Sequence, residues 1–219
     1  MKIQRGSLFR PEKDHYSIAG ILLLIGAFQF FMAVNLAETQ FPGYSTTMNT
    51  LSHLAGTVPP VEPSATIFNI SAILMGILSL ASVYLILKSG GCRLFSTCLA
   101  IASTCAIGVG LFPSYTGNYH IFFASLTFIF GSLAVLFSYR LGLNIPMVIV
   151  SLVAGFTSLI IIISGLVWGL GNPIITFLGP GGAERFVAYP VLLYLLALGG
   201  YLTSRGKDWV KIRFTQGYF

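Results

Sequence analysis

The chain has 219 residues, of which 55% are hydrophobic and only 8% charged, with a formal net charge of +6. A soluble domain carries roughly 25% charged residues, so this composition excludes a water-soluble globular protein: most of its surface must face lipid. The basic excess follows from membrane topology, as argued below, and no nucleic-acid partner is expected.

Runs of about 20 apolar residues mark helices long enough to cross a bilayer. The first is Ser17–Ala37. It exceeds the roughly 7–15 apolar residues of a signal peptide and lacks a small-x-small cleavage site before the next loop, so it is expected to stay as a helix. A long connection follows, from about Glu38 to Pro63, reading FPGYSTTMNTLSHLAG and then TVPPVEP. The remaining runs are Ser64–Leu87, Leu94–Phe112, Tyr119–Tyr139, Ile145–Trp168 and Phe186–Ser204. In hydrocarbon each segment must satisfy its own backbone, which makes these runs helices. The alternation of a transmembrane barrel is missing, as is any repeat of 20–50 residues. The expected fold is all-α: a single six-helix membrane domain spanning 1–219.

Orientation follows from Lys and Arg. Lys2, Arg5, Arg10 and Lys13 precede the first span, and Lys88 and Arg93 join the second to the third. Arg140 follows the fourth, and Arg205, Lys207, Lys211 and Arg213 follow the sixth. In a six-span chain all of these share one side, which the positive-inside rule makes cytoplasmic. Both termini are therefore expected inside a cell membrane, and Arg185 is the one basic residue outside. Cys92, Cys98 and Cys105 are expected to be free thiols; no Cys-x-x-Cys or zinc spacing is present.

Small residues mark expected helix contacts: Ser151 with Gly155, and Gly165 with Gly169. His120, Ala124, Thr127 and Gly131 share one face of the fourth span. Glu62, Thr66, Asn69 and Gly76 fall near one face of the second. Both faces, and the intramembrane amide Gln29, are expected to point into the bundle, because polar groups are costly in lipid.

The first outer connection holds the densest polar chemistry. Pro42-Gly43 predicts a turn. Ser45 can cap a short amphipathic helix from Thr46 to about Ala55. On it Ser45, Thr46, Asn49, Ser52 and His53 share one face, and Met48, Leu51, Leu54 and Ala55 the other. That polar face either meets water or lines a cavity. The third outer connection, GLGNPIITFLGPGGAE, is rich in Gly and Pro and reads as a loop.

His53, His120 and Glu184 fall on the same outer side. They offer two imidazoles and a carboxylate, a set able to ligate a metal, although no diagnostic spacing supports it. Ser52 activated by His120 and oriented by Glu184 is a second arrangement, a serine nucleophile without a G-x-S-x-G elbow. The adjacent Glu184-Arg185 pair can anchor the membrane edge, or present a fixed anion and cation to a polar ligand.

Three stretches carry a family resemblance: FPGYSTTMNTLSHLAG, LFPSYTGNYHIFFASLTFIFG and ERFVAYPVLLYLLALGGYL. Together they resemble the six-span prokaryotic membrane proteins of domain-of-unknown-function family 998, itself distantly similar to the Frag1/DRAM/Sfk1 group. The family's first motif reads Tyr-Pro-Gly-Tyr-Ser, then Asn-x-Ile-Ser-acid-Leu-Gly. Here Pro42, Gly43, Tyr44, Ser45, Asn49, Ser52 and Leu54 match it, Phe41 replaces the first aromatic and His53 the acid. Phe112, Pro113 and His120 match the second motif, which here lacks the acid after the proline; Glu184, Arg185, Tyr189 and Pro190 match the third. The resemblance implies no settled activity, and its distant relatives turn the expectation toward lipids.

The resulting expectation is an integral membrane protein with an outward polar pocket for a lipid headgroup or small amphiphile. Tyr44, Asn49, Ser52, His53, Asn69, His120, Glu184 and Arg185 would form its site, with Arg185 holding an anionic group. The alternatives are an intramembrane lipid hydrolase or transferase, with catalytic groups among Ser52, His53, His120 and Glu184, and a small transporter. Membrane lipids are the expected partners, and no cofactor is predicted.

Overall fold

A computed structural model describes residues 11–205. The basic tails carrying Lys2, Arg5, Arg10, Lys207, Lys211 and Arg213 lie outside the described residues. Among the described residues seven α-helices form: α1 Pro11–Thr39, α2 Leu51–Leu54, α3 Ser64–Lys88, α4 Arg93–Leu111, α5 Asn118–Phe137, α6 Ile145–Trp168 and α7 Pro173–Arg205. All except α2 are long and apolar enough to cross a membrane. No strand occurs among the described residues.

The five spans α1, α3, α4, α5 and α6 fall within a few residues of their apolar runs. Where a boundary is sharp, a local group sets it. Asn144 caps α6 by accepting the Met147 N–H at 3.1 Å, with Pro146 in the first turn, where its missing donor costs nothing. The start of α7 differs from expectation. The Gly- and Pro-rich segment expected as a loop is helical from Pro173, because Asn172 accepts the Ile174 N–H at 2.8 Å and Pro173 occupies the first helical position. The loop character survives at one residue, Gly179, whose backbone (φ 73°, ψ 158°) kinks the helix before Pro180 restarts it.

The six long helices form a closed ring. Helix α1 packs on α3, α3 on α4, α4 on α5, α5 on α6, α6 on α7, and α7 returns to α1. Without a hydrophobic drive between helices in lipid, small residues and interhelical hydrogen bonds decide such contacts. A Cβ on Gly20 would lie 2.6 Å from the Gly199 carbonyl oxygen, and one on Gly199 2.7 Å from that of Gly20. This mutual contact closes α1 on α7. Gly76 likewise admits the Ser103 carbonyl of α4, and Gly155 lies in close contact with Leu136 of α5. Gly165–Gly169 makes no such contact: only Ile175 comes within 4 Å of a Cβ at Gly165, and nothing does at Gly169. Ser82 donates to the Ala19 carbonyl, Gln29 to that of Ser71, and Ser132 to the Ser158 hydroxyl, at 2.9, 3.0 and 2.6 Å. The intramembrane amide Gln29 thus bridges α1 and α3. Cys92, Cys98 and Cys105 are free.

Candidate functional site at one end of the ring

Chain order brings three segments to one end: the α1–α3 connection, the start of α5 and the kink of α7. The basic residues Lys88, Arg93 and Arg140 fall at the other. The first connection opens as its sequence dictates. Pro42 and Gly43 form a turn closed by the Tyr44 N–H on the Phe41 carbonyl at 3.2 Å, with Gly43 at φ 72°. The next turn closes on Asn49, whose Oδ1 accepts the Ser45 N–H at 2.9 Å while its own N–H reaches the Ser45 carbonyl at 2.7 Å.

The amphipathic helix expected from Thr46 to Ala55 shrinks to the single turn α2, capped by Thr50 rather than Ser45. Carbonyls that a helix would bond internally are taken by other partners. Thr46 and Asn49 receive Arg185, Thr47 receives the Gly181 N–H, and Thr50 receives the Tyr44 hydroxyl. Tertiary partners outcompete the helix, helped by an Asn side chain that competes for backbone donors.

Arg185 is only 9% exposed. One guanidinium nitrogen donates to the carbonyls of Thr46, Asn49 and Gly181 at 2.8, 3.1 and 3.0 Å. The other donates to Glu38 of α1 and to the Tyr44 hydroxyl, at 2.5 and 2.8 Å, and the guanidinium lies 5.5 Å from the Tyr44 ring centroid. Arg185 therefore fastens the first connection between α1 and α7, and both of its terminal nitrogens are engaged within the protein. The anionic group it meets within the protein is Glu38. Burial pushes the Tyr44 phenol up to about 12, against the opposing pull of Arg185. Glu38 completes this clamp. In the sequence it marks only the start of the long connection, and its place at the end of the first span was the available signal.

Glu184 turns away from its neighbour. It accepts from the Ser52 N–H at 3.3 Å and from the Ser52 hydroxyl at 2.9 Å. The same hydroxyl lies 3.0 Å from His120 Nε2, and His120 Nδ1 lies 2.8 Å from the Phe112 carbonyl oxygen. Three segments up to 132 residues apart thus converge on one serine hydroxyl. The carboxylate touches the serine, not the imidazole; a backbone carbonyl orients the ring instead.

The other expected residues have different work. His53 Nδ1 accepts the Thr50 N–H at 3.1 Å and lies 2.8 Å from the Thr50 hydroxyl, so it caps its own turn. The metal set of His53, His120 and Glu184 is not assembled, and no cluster of three His, Cys, Asp or Glu among the described residues is placed to hold an ion. Asn69 donates to the Ala55 carbonyl at 2.8 Å, holding α2 to α3, while its Oδ1 is buried without a partner. Tyr44 and Asn49 build the loop itself.

Beneath Ser52, His120 and Glu184 lies a cavity of about 90 Å³. Its wall is apolar, drawn from α1, α3, α4, α5 and α7, with Phe30, Phe68, Ala124, Phe128, Ala188 and Leu195 among the lining residues. Thr127 is the one further polar side chain in the wall, and its hydroxyl is occupied by the Phe123 carbonyl at 2.8 Å. The face expected to point inward from α5, from His120 through Ala124 to Thr127, does so. By the measure in which one water needs roughly 10–15 Å³, the cavity has room for about half a dozen methylene-sized groups.

No curated protein and no solved structure gives a significant match to the chain. A family model described as a protein of unknown function, DUF998, matches residues 24–201, from the first span into the last and across every residue of the site. The chain is a member of the DUF998 family of proteins of unknown function, built here as six apolar helices.

Proposed function

We propose that this protein binds a small amphiphile, with its apolar part in the central cavity and its polar headgroup at Ser52, His120 and Glu184. One observation carries this reading: an apolar cavity lined by five spanning helices has its interacting polar groups gathered at a single end. Pockets of this form, apolar with a few convergent polar groups, are the usual shape of small-molecule sites. The basic connections at the opposite end support a site on the non-cytoplasmic face of a cell membrane under the positive-inside rule, with membrane lipids or lipid-like molecules as the source of ligand.

The test fills the cavity. Short-chain amphiphiles should raise the melting temperature of the purified protein in maltoside micelles, since a ligand at 100 times its Kd stabilises by about 2.7 kcal/mol. Ala124→Phe, which places a ring in the void, should abolish that rise while leaving the unliganded protein folded. A variant that responds like the wild type would refute the reading.

The 3.0 Å approach of the Ser52 hydroxyl to His120 Nε2 favours a second reading, a serine-dependent lipid hydrolase or transferase. Against it stands Glu184, 2.9 Å from the same oxygen, where its negative charge opposes a developing oxyanion. Covalent labelling of Ser52 by an alkyl fluorophosphonate, lost in His120→Gln, would decide for the enzyme.

A further inference from the structure

The ionisable groups left without a salt bridge at the cavity mouth are the Glu184 carboxyl and the His120 imidazole. Glu184 is bonded only by Ser52, and no basic side chain among the described residues pairs with it. Arg185 beside it is committed to Glu38 and Tyr44. The other titratable groups at this end are accounted for in turn. His53 caps α2, Glu62 accepts the Thr66 N–H at the start of α3, and the half-buried Tyr189 phenol, which also senses Glu184, bonds Arg185. Tyr115 and Tyr119 border the start of α5 as exposed phenols. Helix α4 brings no charged residue to this end, and α5 brings only His120.

Counting hydrogens goes further. A carbonyl only accepts, so the contact with Phe112 requires a hydrogen on His120 Nδ1. Ser52 has one hydroxyl hydrogen and two short contacts, to His120 Nε2 and to Glu184 Oε1. One hydrogen serves one contact. The other contact needs a second, carried either on Nε2 of an imidazolium or on the Glu184 carboxyl. Both forms hold one proton more than a neutral imidazole beside a carboxylate, and both leave the three residues with no net charge. That is the arrangement least costly next to an apolar cavity.

We propose that the mouth takes a cationic amphiphile, an amine or quaternary ammonium on a short apolar tail, and that its binding expels the proton shared by His120, Ser52 and Glu184. This rests on the amphiphile-binding reading and names its ligand class. As the cation settles beside Glu184, the Nε2 proton leaves to water. The Ser52 hydroxyl then donates to the freed Nε2, and Glu184 Oε1 turns from the serine to the cation. One positive charge enters and one leaves, so the site stays neutral and cation affinity rises with pH.

The experiment is isothermal titration of the full chain in maltoside micelles with hexyltrimethylammonium, 1-hexanol and hexanoate. Each is run in phosphate and in Tris at the same pH, so that the difference in heat counts the protons exchanged. The expected result is binding of hexyltrimethylammonium with release of about one proton. Glu184→Gln, which still accepts from Ser52, should weaken that binding on the order of tenfold, the scale of one charge-assisted contact. His120→Gln should still bind the cation but release no proton. Tighter binding of hexanol or hexanoate overturns the cation assignment and leaves the cavity reading standing. Wild-type heats that do not depend on buffer overturn the proton exchange. Failure of all three compounds to bind overturns the cavity reading as well.

Discussion

Replacing Arg185 by Met removes five donated hydrogen bonds and half of a buried ion pair while keeping much of the side-chain volume. The guanidinium and Glu38 side chains are 10% and 16% exposed, so bulk water reaches neither freely. Breaking a buried pair by deleting one partner costs about 3–5 kcal/mol, because the remaining charge is left uncompensated. Three backbone carbonyls, of Thr46, Asn49 and Gly181, each lose one donated hydrogen bond in the same step. The loss should fall first on the end of the ring that Arg185 ties, as local opening of the first connection before the spans separate. Two measurements check this: denaturation of the micellar protein at pH 7, and limited proteolysis between Phe41 and Pro63. The expected outcome is a loss of about 3–5 kcal/mol with early cleavage in that segment. Glu38→Gln in the same background should restore part of the stability, giving a coupling of at least about 1 kcal/mol. If Arg185→Met stays within about 1 kcal/mol of wild type with the segment still protected, the clamp is not what holds the loop.

Tyr44 supplies a pH test. Its phenol is raised to about 12 in the folded protein from an ordinary value of 10, chiefly by burial. The neutral form is the one the fold favours, so its contribution is complete below pH 10 and lost as pH rises toward 12. Wild-type protein should lose stability through that window, and Tyr44→Phe, which cannot ionise, should show a shallower decline in a melting-temperature series. Gly181→Val should undock the same loop. A Cβ there would lie 2.5 Å from the Thr46 carbonyl oxygen and crowd the Asn49 carbonyl as well. The side chain cannot be absorbed without moving backbone, so we expect loss of the amphiphile-induced rise in melting temperature with the six spans retained by circular dichroism.

The spans were readable because in hydrocarbon the choice is made segment by segment: a run of about 20 apolar residues can satisfy its backbone only as a helix. The turn at Pro42-Gly43 was readable for the same kind of local reason. The helix from Thr46 to Ala55 was not, because its carbonyls have better partners on a helix more than 130 residues away, which periodicity does not register. The α7 start misled in the opposite sense. Gly and Pro read as a loop, yet Asn172 and Pro173 make a good helix start and a single glycine carries the bend. Glu184 and Arg185 are adjacent in sequence and suggested one charged unit. At 100° per residue around a helix they project to different sides, one to Glu38 and the loop, the other to Ser52.

The sequence by itself determined that this is an all-helical membrane chain, where its apolar runs lie, and that its polar residues collect at one end. Each of these follows from composition and short-range pattern. Only the tertiary structure decided that the ring closes through Gly20 and Gly199, and that Arg185 is consumed as a clamp. It also brought His120 and Glu184 together on one serine above an apolar cavity. Those outcomes depend on which carbonyl, hydroxyl or carboxylate comes within about 3 Å of a donor, and such distances exist only once distant segments have packed.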